Sequence, residues 1–332
     1  MINKSKNIKN RILLTEEIHF DAIKLLKKHF YVFKFYKNNN IQEMINLISK
    51  NQINGIIVRG NLINKDVLQA SNQLRVVVKH GVGYNNIDID SARRLKISIL
   101  YTPYANYNSV AEFTVGLIYS LFKKIIENNR SLKDCQHWNK GEIETSLLKG
   151  KIIGLIGFGK IARRVSELVA PLNMKIFFYD PYISFENISP QIQRVKKLDE
   201  LLKNSDIISL HCPSTKDTRK ILGKEEFKIM KKGAYLVNTA RGDIIDEVAL
   251  IDALKKQLIA GVALDTFTEE PLDKNSGLYQ LENVILTSHI AGTAKEDFRN
   301  TGITCAQLII KVLKHKFDEI DDFYFIEKGN LS

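Results

Sequence analysis

The stretch "IIGLIGFGKIARRVSELV", residues 152–169, limits the possible fold more than any other part of the chain. Ile152, Ile153, Leu155 and Ile156 make a short apolar run without polar alternation, which predicts a strand covered on both faces. Ile161, Val165, Leu168 and Val169 then recur at helical spacing, and between the two lies Gly157-x-Gly159-x-x-Ala162. A strand that enters a helix through such a turn is one arm of a parallel β-α-β unit. Gly157 permits the tight turn, Gly159 lets the backbone approach a pyrophosphate, and Ala162 allows close helix packing. The first N–H groups of the helix lack intrahelical acceptors and suit phosphate oxygens. The next strand candidate, "KIFFYD", ends in Asp180, where a carboxylate can meet the adenosine ribose hydroxyls. No arginine follows Asp180 closely in sequence, so a ribose phosphate would be repelled and the expected cofactor is NAD, not NADP.

Similar signals recur on both sides of this unit. In the first hundred residues "RILLT" (11–15), "VFKFY", "GIIVRG", "LRVVVKHG" and "ISILYT" are strand candidates. They alternate with helical patterns such as "IQEMINLISK" and "FDAIKLLKKHF", where Ile23, Leu26 and Phe30 share a face. After the glycine turn, "MKIFFYD", "SDIISLHCP", "GAYLVNTA", "IAGVALDT" and "NVILTSH" form a second series. Between the series, "NSVAEFTVGLIYSLFKKIIENN" reads as one long apolar helix from Asn108-Ser109, with Ser109 as cap and Glu112 three residues on. The last helical stretch, "AKEDFRNTGITCAQLIIKVLKH", is expected to return to the first domain. A chain of 332 residues exceeds what one core usually serves. The expectation is an α/β protein with two doubly wound parallel sheets, a discontinuous domain of residues 1–106 and 297–332, and an inserted domain of residues 107–296.

Composition removes several function classes. With 44% hydrophobic and 26% charged residues the chain is ordinary for a globular protein. No apolar run reaches the roughly 18 residues of a membrane span. "MINKSKNIKN" is basic but leads into no apolar segment, so neither a secretory signal nor a membrane partner is expected and a cytoplasmic location fits. Cys135, Cys212 and Cys305 stand far apart, which argues against a disulfide framework and a thiolate metal site. The net charge of +12 is spread over lysines in nearly every segment, including Lys27-Lys28, Lys123-Lys124 and Lys231-Lys232. No basic stripe alternates with aromatics, so a nucleic-acid partner is not expected. The charge would still attract a small anion.

Four further segments follow in order: "LHCPSTKDT", "MKKGAYLVNTARGDIIDEVAL", "AGVALDTFTEEPL" and "LENVILTSHIAG". With the glycine turn, the chain from about Gly55 to Ala294 resembles the D-isomer-specific 2-hydroxyacid dehydrogenase family, nearest its 3-phosphoglycerate dehydrogenase branch. The resemblance implies a flavodoxin-like substrate domain, a Rossmann NAD-binding domain, and a homodimer formed through the 110–150 region and the cofactor domain. Hydride exchange between NAD(H) and C2 of a 2-hydroxy or 2-oxo acid needs a cation for the carboxylate, an acid/base near neutral pKa, and a carboxylate to orient that base. The resemblance gives these roles to Arg241, His289 and Glu270, the glutamate next to Pro271, and leaves Glu269 to solvent. A lone histidine after an apolar run would otherwise be read as an ordinary core residue. Cofactor contacts carry over to Lys160, Ile161, Cys212 and Pro213 (Cys212 through its backbone), Thr218, Thr239, Ala240 and Gly292. Asp265 corresponds to the residue that receives the nicotinamide carboxamide.

On the substrate side, "KHGVGYNNID" resembles the loop whose backbone amides bind the substrate carboxylate, at Gly81, Val82 and Gly83. Asn106 matches a hinge and substrate-side asparagine, and His80 is expected to pack or to line the rim. Arg59 and Lys79 correspond to basic residues that meet a substrate phosphate. The expected substrate pair is therefore 3-phosphoglycerate and 3-phosphohydroxypyruvate, or a similar acid with an anionic tail. The alternative is a hydroxypyruvate or glyoxylate reductase, which needs no such pair of cations. A further alternative is an NAD-sensing, corepressor-like scaffold. No regulatory domain is expected after the last helix. The chain departs from the family pattern at Ser288, where proline is usual, at Tyr104, where glycine is frequent, and at Tyr84, where aspartate is usual.

Overall fold

A computed structural model describes residues 9–36, 40–103, 105–138, 140–183 and 192–329. Tyr104 and most of the basic N-terminal segment lie outside them. The chain divides into two compact units, residues 1–106 with 293–332, and residues 107–292.

In the first unit, β1 (Arg11–Leu14), α1 (Phe20–His29), β2 (Tyr31–Lys34), α2 (Ile41–Asn51), β3 (Gly55–Val58), α3 (Lys65–Gln69), β4 (Val76–Lys79), α4 (Ile89–Arg94) and β5 (Ser98–Leu100) alternate along the chain. The second unit contains α5 (Tyr107–Phe122), α6 (Ile125–Asp134), β6 (Ile152–Ile156), α7 (Lys160–Val169), β7 (Lys175–Tyr179), β8 (Ile192–Arg194), α8 (Leu198–Asn204), β9 (Ile207–Leu210), α9 (Lys224–Ile229), β10 (Tyr235–Asn238), α10 (Glu247–Lys255), β11 (Gly261–Leu264) and β12 (Val284–Leu286). The chain then returns to the first unit as α11 (Lys295–Leu313) and β13 (Phe325–Glu327).

The first sheet runs β2-β1-β3-β4-β5-β13, parallel except for β13, which pairs antiparallel with β5. Its five parallel strands have the flavodoxin-like order. The expected all-parallel sheet therefore gains an antiparallel edge. The second sheet is wholly parallel and runs β8-β7-β6-β9-β10-β11-β12, the doubly wound order with one added strand. Strand order reverses between β6 and β9, and ligands of such sheets collect at that crevice, beyond the carboxyl ends of the strands.

Both sheets are covered on two faces, which is why their strands read as unbroken apolar runs. In the first unit, Ile12, Leu14, Val76 and Val78 pack with Leu26 and with Cys305, Ile309 and Val312 of α11. Leu13, Ile56 and Val77 pack on the opposite face with Met44, Ile48 and Val67. In the second unit, Ala162 and Val165 of α7 lie against Ile118 and Leu121 of α5, over Ile153, Leu155 and Val237.

The long apolar helix is two helices. Its first part starts at Tyr107 and buries Val110, Ala111, Thr114, Leu117, Ile118, Leu121 and Phe122. Lys124 adopts a left-handed conformation with φ 49°, which ends that segment and redirects the chain into α6, a helix with no buried residue. Ser109 lies inside the first turn of α5; its hydroxyl donates to the carbonyl of Ala291 at 2.8 Å and does not act as the expected cap.

Candidate active site

In the second unit, seven parallel strands end along one edge, and the residues expected to act sit past those ends. Gly157 follows β6 with φ 84°, and a Cβ there would lie 2.8 Å from the amide nitrogen of Cys212, so the turn after β9 closes on glycine alone. Gly159 begins α7 with open space where a side chain would stand, and no side chain caps the helix. That leaves an unblocked approach for a diphosphate to the amides of Lys160 and Ile161, favoured by the helix dipole. Asp180 follows β7; one carboxylate oxygen accepts the Phe158 amide and the other the Tyr182 amide, each at 2.9 Å. The acid is thereby fixed against the glycine turn. Arg194 of β8, distant in sequence, donates to the backbone carbonyl of Asp180 at 3.0 Å. These features fit a dinucleotide.

The remaining cofactor candidates are held largely by local bonds. The Thr218 hydroxyl donates to the carbonyl of Pro213 at 2.6 Å and so ties its own loop. The Thr239 hydroxyl meets that of Thr114 in α5 at 2.9 Å. Burial pushes the Cys212 thiol up to about 11, so it stays protonated at neutral pH. Gly292 is half-buried at the end of this unit.

Arg241 follows β10 on a turn that Asn238 holds from beneath. The Asn238 amide donates to the Arg241 carbonyl at 2.8 Å and its oxygen accepts the Ala240 amide at 2.9 Å. A Cβ on the next residue, Gly242, would come within 1.9 Å of the Phe267 backbone, so only glycine lets this turn lie on the loop that carries Glu270. Neither Asn238 nor Gly242 was singled out from the sequence, although both flank the arginine in "NTARG". Arg241 is half-buried and forms no ion pair among the described residues; its side chain donates to the Ala240 carbonyl. Among the described residues no carboxylate therefore neutralises its positive charge.

Glu270 and His289 meet directly. Imidazole Nδ1 lies 2.7 Å from one Glu270 oxygen, while the other oxygen accepts the Phe267 amide at 3.1 Å. This arrangement assigns the ring proton to Nδ1 and leaves Nε2 for exchange with a reacting group. His289 is a non-glycine residue with φ 54°, a conformation that persists only where surroundings impose it. The imposition comes from Asp265, just past β11. One of its oxygens accepts the Thr287 hydroxyl at 2.6 Å and the Ile290 amide at 2.9 Å, and the other accepts the Ala291 amide at 2.9 Å. Asp265 is 0% exposed. The carboxylate expected to meet the nicotinamide carboxamide is thus anchored on the histidine loop by three protein donors. Ser288 is exposed and has no hydrogen-bond partner among the described residues, and Glu269 is exposed.

In the first unit, the other expected residues also follow strand ends. Arg59 comes after β3 and is exposed; its guanidinium lies 5.1 Å from the centre of the Phe298 ring and donates to the Glu17 carbonyl at 3.3 Å. The Arg59 amide, with those of Gly60 and Asn61, converges on the carboxylate of Glu16, a residue the sequence had not flagged. Burial raises the Glu16 pKa, but the hydrogen bonds from Thr15, Arg59, Asn61 and Gly60 outweigh it and the net shift is downward.

Lys79 ends β4 and is buried. Its ammonium donates to the Arg59 carbonyl and, at 2.7 Å, to Asn86. It thereby braces the Arg59 backbone. Gly81 has φ 130°, which requires glycine, but its amide donates to the Thr102 hydroxyl at 2.8 Å. Of the three loop amides expected to bind a carboxylate, those of Val82 and Gly83 have no acceptor among the described residues. The exposed Tyr84 ring meets Tyr101 edge-on. Asn106 is half-buried in the turn before α5.

Comparison with known proteins agrees with this arrangement. Residues 115–291 match the model of the D-isomer specific 2-hydroxyacid dehydrogenase NAD binding domain. The chain is 37% identical over 311 residues to a D-3-phosphoglycerate dehydrogenase of Methanocaldococcus jannaschii; the match takes in 93% of this chain and 58% of that protein. It is 38% identical over 257 residues to a glyoxylate reductase of Thermofilum pendens, covering 76% of each. The crystal structure of D-lactate dehydrogenase from Aquifex aeolicus, complexed with NAD and lactic acid, is similar with a TM-score of 0.83 at 27% identity, covering 96% of this chain and 99% of that one. Among the described residues no helix is long and apolar enough to cross a membrane. With the family model matched over residues 115–291 and relatives of 37% and 38% identity, the chain belongs to the D-isomer-specific 2-hydroxyacid dehydrogenase family.

Proposed function

We propose that this protein is an NAD-dependent D-2-hydroxyacid dehydrogenase in which Arg241, Glu270 and His289 act as cation, orienting carboxylate and acid/base. The observation that carries the reading is the 2.7 Å contact between Glu270 and the left-handed His289, set beside an arginine without a carboxylate partner. The nicotinamide supplies the hydride acceptor or donor for C2 of the acid. Arg241 binds the substrate carboxylate through its planar fork and polarises the carbonyl, and it keeps its charge throughout. His289 gives its Nε2 proton to the carbonyl oxygen in reduction and takes it back in oxidation. Glu270 holds the ring tautomer and stabilises the imidazolium that forms.

The substrate reading is an acid with a second anionic group, 3-phosphoglycerate and its 2-oxo form, with Arg59 as the cation that meets the tail. The exposed guanidinium, held on Phe298 and braced through its backbone by Glu16 and Lys79, supports it. The burial of Lys79 and its bonds to the Arg59 carbonyl and Asn86 favour the second reading, a hydroxypyruvate or glyoxylate reductase, because they leave Arg59 as the exposed cation of the expected pair. Comparing kcat/KM for phosphohydroxypyruvate, hydroxypyruvate and glyoxylate separates the two. A charge-assisted contact contributes about 1.5–3 kcal/mol, so the phosphorylated acid should lead by roughly 10- to 100-fold and lose that lead in Arg59→Ala. Equal values in the unaltered protein would remove the phosphate reading.

The protein acts as a homodimer in this reading. Ile125, Ile126, Leu132, Trp138 and Leu147 are all exposed, with Trp138 at 73% and Leu147 at 70%, and such apolar side chains gathered in one segment mark an interaction surface. Sedimentation of the protein as a dimer, and of Trp138→Asp as a monomer, is the expected result; a monomeric parent protein would contradict it.

A further inference from the structure

We infer that Glu16 is a specificity-determining positioning residue: it fixes the backbone of Arg59 so that the guanidinium stands ready on Phe298 for the second anionic group of the substrate. This role rests on the reading of Arg59 as the cation that meets that group. Every residue involved belongs to the first unit. Glu16 stands two residues past β1, and Arg59 directly follows β3, the strand beside it, so the two meet at the carboxyl edge of the first sheet. One carboxylate oxygen accepts the Arg59 amide at 2.8 Å and the Thr15 hydroxyl. The other accepts the Gly60 amide at 2.7 Å, the Asn61 amide, and the Asn61 side-chain amide at 2.8 Å. Asn61 is buried and is held in turn by Asn86, whose side chain donates to its carbonyl at 2.7 Å. The guanidinium takes no part in this cluster. It donates to the Glu17 carbonyl at 3.3 Å and lies 5.1 Å from the centre of the Phe298 ring.

Three consecutive amides that point to one place form a ready site for an anion. Here the protein fills that site with its own carboxylate. Burial raises the pKa of Glu16, but the bonds from Thr15, Arg59, Asn61 and Gly60 outweigh burial, so the group is ionised at neutral pH. Its negative charge is thus satisfied by amides, and Arg59 keeps a guanidinium without an ion pair among the described residues. An exposed arginine ordinarily samples many rotamers, and binding an anion then carries the cost of ordering it. With the backbone tied to Glu16 and the guanidinium laid on an aromatic ring, most of that ordering precedes the arrival of the substrate. A carboxylate suits the task because its two acceptor oxygens serve donors on both sides. A glutamine would keep one oxygen and turn an NH2 group towards the donors on the other.

The test is a double-mutant cycle of Glu16→Gln and Arg59→Ala, read with phosphohydroxypyruvate and with hydroxypyruvate. Ordering one long side chain is worth roughly 3- to 10-fold in binding, so Glu16→Gln should raise KM for the phosphorylated acid by that factor. KM for hydroxypyruvate and kcat for both acids should stay unchanged, a split that a general loss of structure would not produce. In the Arg59→Ala background, Glu16→Gln should cause no further change. Phe298→Leu, which removes the ring beneath the guanidinium and leaves Glu16 in place, should give the same selective rise; it tests the idea if Glu16→Gln does not fold. Equal losses with both acids, or a loss that persists in the Arg59→Ala background, would overturn the proposal. So would an unchanged KM for phosphohydroxypyruvate in Glu16→Gln when Arg59→Ala does abolish the preference for that acid. Failure of the substrate reading itself looks different: the preference is then absent from the unaltered protein or survives Arg59→Ala.

Discussion

His80 and His289 stand in similar places on two sheets of similar build, and their differences show what turns a histidine into an acid/base. His80 directly follows the carboxyl end of β4 in "VVVKHG", and His289 stands three residues past that of β12 in "VILTSHIAG". His80 is largely enclosed. Its ring lies 5.5 Å from that of Phe298, and its Nε2 is buried without a partner among the described residues. Burial first, then the charge of Arg59, pushes its pKa down to about 4, so it is neutral throughout the physiological range. His289 has 48% of its side chain exposed, a carboxylate at 2.7 Å and a loop held by Asp265. A neutral, enclosed ring in a cationic pocket is closed to proton exchange with a ligand, whereas a reachable ring with a carboxylate on Nδ1 presents its Nε2.

The largest expected effect comes from removing one histidine and then the other. Loss of general acid/base catalysis costs roughly 10²–10⁴-fold, so His289→Ala should lose that much in kcat while NADH still binds, as followed by its fluorescence. His80→Asn should keep its kcat. A loss of turnover in the His80 variant at preserved stability would break the comparison.

A second, smaller effect concerns stability. An unfolded histidine titrates near 6.5, and His80 in the folded protein near 4, so between these values the unfolded chain binds more protons. Stability therefore falls as pH drops from about 6.5 towards about 4. Urea unfolding at pH 7 and pH 5 should show the parent protein losing more stability than His80→Asn over that interval. Equal losses would mean that His80 is not enclosed in solution. The smallest effect expected is at Ser288, where Ser288→Pro should leave kcat intact because the hydroxyl is exposed and unbonded among the described residues. A large loss there would give the serine a part in the reaction.

The contrast also marks what a sequence can reveal. Central parallel strands are legible because burial on both faces writes them as apolar runs, and β6 to α7 is legible because the glycine turn joins two periodicities. The strands β8, "IQR", and β13, "FIE", are three-residue edges with polar positions and leave no such trace. The break between α5 and α6 has no glycine or proline to announce it; a lysine takes the left-handed turn. At the site, the motif order pointed to Glu270 and His289, which the fold brings into contact. The engagements of Lys79 by Arg59 and Asn86, of the Gly81 amide by Thr102, and of Asp265 by the histidine loop were not legible. Each depends on a contact between segments distant in the chain, and the type of residue alone does not say whether its polar atoms are already taken.

The central claim, that His289 exchanges the substrate proton, is tested most directly by adding free imidazole to His289→Ala during NADH oxidation by a 2-oxo acid. The half-exposed ring of His289 leaves a place that a small base can enter. The predicted result is a slow variant whose rate climbs with imidazole concentration and whose dependence on pH follows the added base. A variant that turns over at the parent rate without imidazole would contradict the assignment.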